Sequence, residues 1–372
     1  MELHQKMLRR PRPRLLLSPL ILRLATTIQN SVLGNIAISL KSLLIIRLCK
    51  EHPLINRLLG STSLALKEAR LILTAPSVIP NNVASNQAFP VTNQLNDGIR
   101  MIQGQMHFVN STPHFCHTSC DLLDAGPITT YLSTVYDWVS THPYDVVTIL
   151  LENGDYHPVT DYVSFIESTG LVRFAYVPST IPMALEDWPT LATMILAGKR
   201  VVFFMDYNAN QTAVPWILDE FSHVWETPFD QTNRSFPCTT QRPPGLSEEG
   251  SKHRMYLTNH NLNYEIDLLG NALLVPYIPL LNVTNGVSGF GSLGQGAQDC
   301  NDTWGFPPKF LNVDYYNAGN GSVFEVAAKW NNVTYNQTCC GSKVSDAERM
   351  RAPGQTVVMV GLVVVLSSWL IL

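Results

Sequence analysis

The chain has 372 residues, 45% hydrophobic and 15% charged, which suits a globular protein with a substantial core. Its formal net charge is −4, yet residues 1–75 contain twelve Lys and Arg against three Asp and Glu, so the rest of the chain is strongly acidic. Because nucleic-acid binding needs a basic face that meets phosphates, this acidic body argues against a nucleic-acid partner.

Residues 1–75 form a basic and apolar N-terminal extension, which the sequence leaves unassigned. The start has the character of an export signal, but Arg23 interrupts the first apolar run and Lys41 the second. The Arg-rich, acid-poor composition also suits a mitochondrial transit peptide, and a misread gene start is a third interpretation. All three stay open.

Cysteines and glycosylation sequons indicate an oxidising compartment. Apart from Cys49 the chain has an even set of six cysteines, which favours disulfides: Cys116, Cys120, Cys238, Cys300, Cys339 and Cys340. Eight Asn-x-Ser/Thr sequons lie between residues 110 and 336. Together they predict a secreted glycoprotein with disulfide bonds. A zinc site around His117 is the weaker alternative, because no second pair of ligands has suitable spacing.

From about residue 83 strand and helix patterns alternate. Residues 99–108 predict a strand whose polar residues Gln103, Gln105 and His107 share one face, which is costly to bury unless it lines a wet cavity. Apolar residues at helical spacing predict a helix over 128–141. Residues 145–153 predict a buried parallel strand.

The pattern of a strand followed by an acidic residue then recurs. The strand over 145–153 ends at Glu152, the one over 199–210 at Asp206, and the one over 308–314 at Asp314 before a helix over 323–330. This repeat predicts a β/α barrel or a doubly wound sheet. In a closed barrel the three acids would meet at one rim; the alternative is that each is a surface or helix-capping residue. Residues 225–252 are interpreted as an excursion loop.

The C-terminus ends in an uncharged apolar segment. Residues 356–372 follow a polar spacer, 341–355, which is the layout of a GPI-attachment signal. Ser345 is the preferred attachment site, with Gly341 or Ser342 as alternatives. A transmembrane anchor is the other interpretation, although seventeen residues are at the short limit for a span. Either one predicts attachment to the cell-surface membrane.

Six segments occur in a characteristic order within about residues 84–340: NQLNDGIRMIQGQMH (93–107), FCHTSCDLLDAGP (115–127), YDWVSTHPYDVVTILLENGDY (136–156), KRVVFFMDYNANQ (199–211), LDEFSHVWETPFD (218–230) and KFLNVDYYNAGNGSVFEVAAKWNN (309–332). As an ordered set they resemble the fungal phospholipase C-like phosphodiesterases, relatives of the bacterial phosphatidylinositol-specific enzymes. The resemblance implies that residues 76–340 form a distorted TIM (β/α) barrel that cleaves a phosphodiester.

The resemblance also implies roles for individual residues. In the bacterial relatives one histidine is the general base on an inositol hydroxyl and a second protonates the leaving oxygen. His117 lies at the second position and is implied as the general acid, with a structural role between two bridged cysteines as the alternative. Asp314 is implied to orient or polarise a histidine, and Glu152 matches a calcium ligand of the animal enzymes. The candidates for substrate binding are Gln103, Gln105, His107 and Asp206.

Two departures from the family pattern affect the expected activity. The stretch 71–87 corresponds to the family motif that carries the first histidine, but it contains no histidine. Gln105 stands where the bacterial relatives have a phosphate-binding arginine and the animal ones a calcium-ligand aspartate, so no cofactor is expected and the calcium ligand set is incomplete. Losing a general base typically costs about 10²–10⁴-fold in rate.

The leading hypothesis is a cell-surface phosphodiesterase that acts on phosphatidylinositol-type lipids and is impaired by the missing histidine. A non-catalytic barrel that binds phosphoinositides or glycans is the alternative. A glycosidase-type barrel with paired carboxylates is the third.

Overall fold

The computed structural model describes residues 71–74, 82, 84–268, 271–337 and 339–341. The interpretations of the N-terminal extension, of Ser345 and Ser342, and of the tail 356–372 lie outside these residues. No helix in the described ranges is both long and apolar enough to cross a membrane. Leu71–Thr74 already pairs within the sheet, so the sheet begins before the predicted domain boundary at residue 76.

Helices separate many of the strands along the chain, and the other strands follow one another directly. They are β1 (Leu71–Thr74), β2 (Met101–Val109), β3 (Thr112–His117), β4 (Ser119–Pro127), β5 (Val147–Asn153), β6 (Val201–Met205), β7 (Ile217–Asp219), β8 (Val224–Glu226), β9 (Met255–Asn259), β10 (Asn263–Leu268), β11 (Asn271–Pro276) and β12 (Phe310–Asn312).

Eight of these strands form an open, distorted TIM barrel. They pair in parallel in the order β7-β6-β5-β2-β1-β12-β9-β8, so the chain runs once around the barrel. This confirms the predicted fold class. The distortion lies between β7 and β8, two three-residue strands separated by a short helix: among the described pairings none joins them, so the sheet is not closed there.

The helices lie between the strands, as the alternating pattern predicts. They are α1 (Val91–Asp97), α2 (Ile128–Thr141), α3 (Thr160–Ser168), α4 (Leu191–Ala197), α5 (Glu220–His223), α6 (Glu248–Lys252), α7 (Leu281–Thr284), α8 (Leu293–Trp304) and α9 (Ser322–Trp330). Short 3₁₀ helices lie at Leu171–Phe174, Leu185–Asp187 and Ile278–Leu280.

Helix α2 begins after Pro127 and ends at the predicted residue. The interpretation of 225–252 as a loop is wrong at both ends, because β8 and α6 occupy them.

Successive side chains of the central strands point alternately into two layers of the core. In β5, Ile149 and Leu151 pack in the same buried cluster as Leu132 and Val135 of α2. Leu150, which points the other way, belongs to a second cluster with residues of other barrel strands, including Val202, Phe204, Leu257 and Phe310. This second layer fills the barrel with apolar side chains, as in TIM barrels generally, and leaves the mouth at the strand ends for polar residues.

Three disulfides confirm that the six cysteines pair: Cys116–Cys120, Cys238–Cys300 and Cys339–Cys340. The first lies in the antiparallel hairpin of β3 and β4, which is attached to β2. The second ties the loop after β8 to α8 and closes a long segment of chain, which limits the conformations of the unfolded state. A second hairpin, of β10 and β11, forms a separate two-stranded sheet.

Candidate active site

A cavity of about 630 Å³ opens at the carboxyl ends of the barrel strands. Most of the predicted site residues line it: Gln103, Gln105, His117, Glu152, Asp206 and Asp314. The convergence follows from the parallel sheet, because every strand of such a sheet ends at the same edge. In the register of the sheet Gln105 lies between Cys116 of β3 and Glu152 of β5.

His107 is the exception among the predicted site residues. It is absent from the described lining of the cavity, and its Nδ1 lies 2.6 Å from Oδ1 of Asp155. Strand β2 continues beyond the sheet edge into the hairpin with β3, which carries His107 away from the mouth. Although burial opposes the effect, the pKa of Asp155 is lowered by hydrogen bonds from the Phe108 N–H and from His107.

His117 is oriented by the backbone of the segment that follows β1. Its Nδ1 lies 2.7 Å from the carbonyl oxygen of Ala84. A carbonyl can only accept, so Nδ1 carries the proton and Nε2 is the nitrogen left for proton exchange. The Cys116–Cys120 disulfide brackets the residue, and the Thr118 N–H donates to Oε1 of Gln105 at 2.9 Å. A structural role and an acid–base role are both compatible with this geometry.

Asp314 lies two residues beyond β12 and is 5% exposed. Its Oδ1 accepts a hydrogen bond from Nδ2 of Asn261 at 2.8 Å. Burial raises the pKa of Asp314 to about 7, while the bond from Asn261 opposes this shift. The carboxyl can therefore gain or lose a proton near neutral pH.

Acidic side chains gather on the opposite side, at the ends of β5, β6 and β8 and at the start of α5. Burial, and secondly the charge of Asp206, raise the pKa of Glu152 to about 8. Asp206 is buried as well, which raises its pKa although it accepts hydrogen bonds from the N–H groups of Asn153 and Tyr207. Glu220 is 1% exposed, and burial followed by the charge of Glu226 raises its pKa well above the ordinary value.

Arg242 is the main site residue that the sequence analysis missed. Its Nη2 donates to Asp206 at 2.8 Å and its Nη1 to Glu226 at 3.2 Å. The guanidinium also lies over the rings of Tyr207 and Phe221, about 5.2 Å from each centroid. Arg242 is the single basic residue in 235–251, inside the segment interpreted as a loop, and this signal is too weak to place it in a site.

A chain of hydrogen-bonded polar side chains crosses β12, β9 and β8, and the sequence pattern did not indicate it either. Asn312 of β12 donates to Oδ1 of Asn259 at 2.8 Å, and Asn259 donates to Oε2 of Glu226 at 3.0 Å. All three line the cavity. Because β8 and β12 have only three residues each, their alternation is too short to mark Glu226 and Asn312 in the sequence.

The described residues contain no group of three or more His, Cys, Asp or Glu side chains placed to hold a metal ion. The calcium expectation stays a prediction. At the carboxylates of β6 and β8, where a cation would be most favourable, the structure has the guanidinium of Arg242.

Comparison with known proteins identifies the family. The model of the PI-PLC X domain, described as PI-PLC X 1, matches residues 75–331. The chain belongs to the PI-PLC X family. A "PI-PLC X domain-containing protein 1" from Arthroderma benhamiae is 39% identical over 239 residues, 63% of this chain and 75% of that protein.

A second relative is more similar in sequence. An "Uncharacterized secreted protein" of the same fungus is 56% identical over 273 residues, which are 73% of this chain. The aligned part spans 62% of that relative's length.

Solved structures are similar at low sequence identity. A phosphatidylinositol-specific phospholipase C from Staphylococcus aureus gives a TM-score of 0.48 at 10% identity, over 72% of this chain and 93% of that one. The enzyme of the same name from Listeria monocytogenes gives 0.44 at 11% identity, over 72% and 96%.

Proposed function

We propose that this chain is a phospholipase C-like phosphodiesterase that acts on phosphatidylinositol-type lipids at the cell surface. The observation that carries the proposal is the setting of His117. Its Nδ1 is engaged by the Ala84 carbonyl, and it lines a cavity at the carboxyl edge of a PI-PLC X barrel. A histidine held in one tautomer, with the second nitrogen available, is what a general acid requires.

The proposed reaction needs a proton to leave the attacking hydroxyl and another to reach the departing oxygen. As the hydroxyl oxygen bonds to phosphorus, the bond from phosphorus to the lipid oxygen breaks, and protonated His117 donates to that oxygen. Since 71–87 contains no histidine, we propose that a carboxyl accepts the first proton. Asp314 is our candidate, because its pKa of about 7 suits proton exchange at neutral pH. Because the histidine that serves as the base in the family is missing, a low rate is expected.

Several observations support passage through the secretory pathway, which the proposed cell-surface location requires. Three disulfides suit an oxidising compartment, and a relative that is 56% identical is named a secreted protein. Of the eight sequon asparagines, seven are exposed and Asn301 is half-buried, so all can be reached by the glycosylation machinery. If residues 356–372 are a GPI signal at Ser345, deleting them should release soluble protein into the medium. Continued retention on membranes would contradict the anchor.

The test of function compares two neighbouring histidines of β3. The full chain is expressed in a secretory host, and release of phosphorylated head group from phosphatidylinositol vesicles is measured. His117→Ala should lower the rate by about 10²–10⁴-fold. His114→Ala is the matched control, because His114 pairs with Asp124 and is not among the described lining residues.

Both variants should be secreted like the parent protein. Equal activity in both would refute the role of His117. If the parent protein binds the vesicles but releases no head group, the non-catalytic barrel is the correct interpretation.

A further inference from the structure

The cavity is lined by many more acidic side chains than basic ones. The described lining includes one guanidinium, that of Arg242, against five carboxyl side chains: Glu152, Asp206, Glu226, Asp230 and Asp314. A phosphodiester would bring one more negative charge into a partly desolvated site, where like charges repel strongly. A ligand of this kind therefore needs a fixed cation in the cavity.

The backbone fixes Arg242 against β8. The Glu226 N–H donates to the Arg242 carbonyl at 2.8 Å, and the Gln241 N–H donates back to the Glu226 carbonyl at 2.9 Å. Four residues earlier, Cys238 ties the same segment to α8 through its disulfide with Cys300. The residue thus belongs to a tethered segment rather than to a free loop tip.

The side chain is fixed as well. Arg242 bonds two carboxylates, lies over the rings of Tyr207 and Phe221, and is 16% exposed. Burial opposes ionisation, but the surrounding carboxylates, Glu226 first, raise the pKa of Arg242 above its ordinary value, so its charge is permanent. Its contacts to Asp206 and Glu226 use Nη1 and Nη2, and an arginine with five N–H donors keeps some for a ligand.

A divalent cation does not fit this arrangement. Calcium takes six to eight oxygen ligands, several of them carboxylates. Here Asp206 and Glu226 are engaged by the guanidinium, and β2 offers the neutral amides Gln103 and Gln105.

We propose that Arg242 is the built-in cation of this site and binds the anionic phosphate of the ligand without a metal ion. The proposal deepens the proposed function, since it states how the phosphate charge is met. It does not depend on whether the chain is catalytically active.

The experiment measures binding, so it is independent of catalysis. Inositol 1-phosphate is titrated into the full-length protein by calorimetry, once with EDTA and once with excess Ca²⁺. We expect equal affinity in both conditions. Arg242→Gln should weaken binding by about 10–100-fold, the equivalent of losing a charge-assisted hydrogen bond. The affinity of Arg242→Lys should lie between those of the parent protein and Arg242→Gln, because lysine keeps the charge but lacks the planar guanidinium with its paired donors.

The control variant is Arg234→Gln. Arg234 lies over the ring of Phe290 and is not among the described cavity-lining residues, so its loss should leave binding unchanged. Binding by the parent protein that requires Ca²⁺ would overturn the proposal, as would an Arg242→Gln variant that binds like the parent. If Arg242→Gln does not fold, the proposal is still tested by the affinity of Arg242→Lys and by the comparison of the parent protein's affinity in EDTA and in Ca²⁺. Binding of inositol 1-phosphate requires no turnover, so a failure here is distinguishable from a failure of the proposed reaction.

Discussion

The two sides of the cavity mouth are held together by different forces. On the histidine side, neutral hydrogen bonds to the backbone after β1 do most of the positioning. The Ala84 carbonyl accepts from His117 at 2.7 Å, and the Asn86 carbonyl accepts from the Tyr315 N–H at 2.7 Å. One short backbone segment therefore connects β3 to the end of β12, which carries Asp314.

On the carboxylate side, charge balance does the positioning. Asp206 and Glu226 are both buried and share the guanidinium of Arg242, with Glu152 and Glu220 close enough for their charges to act on it. Removing Asp206 or Glu226 would leave fewer carboxylates for Arg242 to neutralise. Removing Arg242 would leave all of these carboxylates without a counter-charge. The histidine side should therefore tolerate the loss of His117, whereas the carboxylate side should not tolerate the loss of Arg242.

The largest expected effect is on the carboxylate side. Arg242→Gln should lower the free energy of unfolding by about 3–5 kcal/mol at pH 8, because it strands buried carboxylates without a cation. The measurement is urea denaturation followed by tryptophan fluorescence. At pH 5 the cost should be smaller, because Glu152, whose pKa is raised to about 8, then carries a proton. A loss that is small and the same at both pH values would show that charge balance does not hold this side together.

The next-largest expected effect is the dependence of the free energy of unfolding on pH. An unfolded Glu152 loses its proton near its ordinary pKa of 4.5, whereas the folded protein keeps it up to about pH 8. Between these values the folded state binds more protons, so stability should fall as pH rises, by up to about 4 kcal/mol from this group. Asp206, Glu220 and Asp314 shift in the same direction.

Glu152→Gln should flatten this decline, and Glu167→Gln, at an exposed position of α3, should leave it unchanged. The urea midpoint measured across pH 5 to pH 8 checks both. A parent protein that becomes more stable over this range would mean that the carboxylates are far better neutralised than the geometry indicates.

The sequence predicted the two sides unequally. Glu152, Asp206 and Asp314 were found because each ends a strand of a recurring strand–helix pattern, and such ends meet at one edge of a parallel sheet. His117 was placed by its resemblance to a family motif. The fold class followed from the same repeats, since long buried strands such as β5 are distinct in sequence.

Arg242 and Glu226 could not be found in this way. Arg242 reaches Asp206 across 36 positions of sequence, through a segment whose path depends on a disulfide and on backbone bonds to β8. Tertiary structure alone brings this guanidinium to the strand ends. The open seam between β7 and β8 was missed for a related reason: three-residue strands carry too little pattern to predict pairing.

The smallest expected effect returns to the histidine side. His117→Ala removes one hydrogen bond to a backbone carbonyl from a half-buried side chain, which should cost about 0.5–1.5 kcal/mol in the free energy of unfolding. Urea denaturation at pH 8, beside the Arg242→Gln variant, gives the comparison directly. A modest loss together with a large fall in phosphodiester cleavage would assign His117 to the chemistry. If instead its loss destabilised the protein as much as that of Arg242, His117 would be a structural residue between two bridged cysteines, and the two sides of the mouth would not differ in the way their contacts indicate.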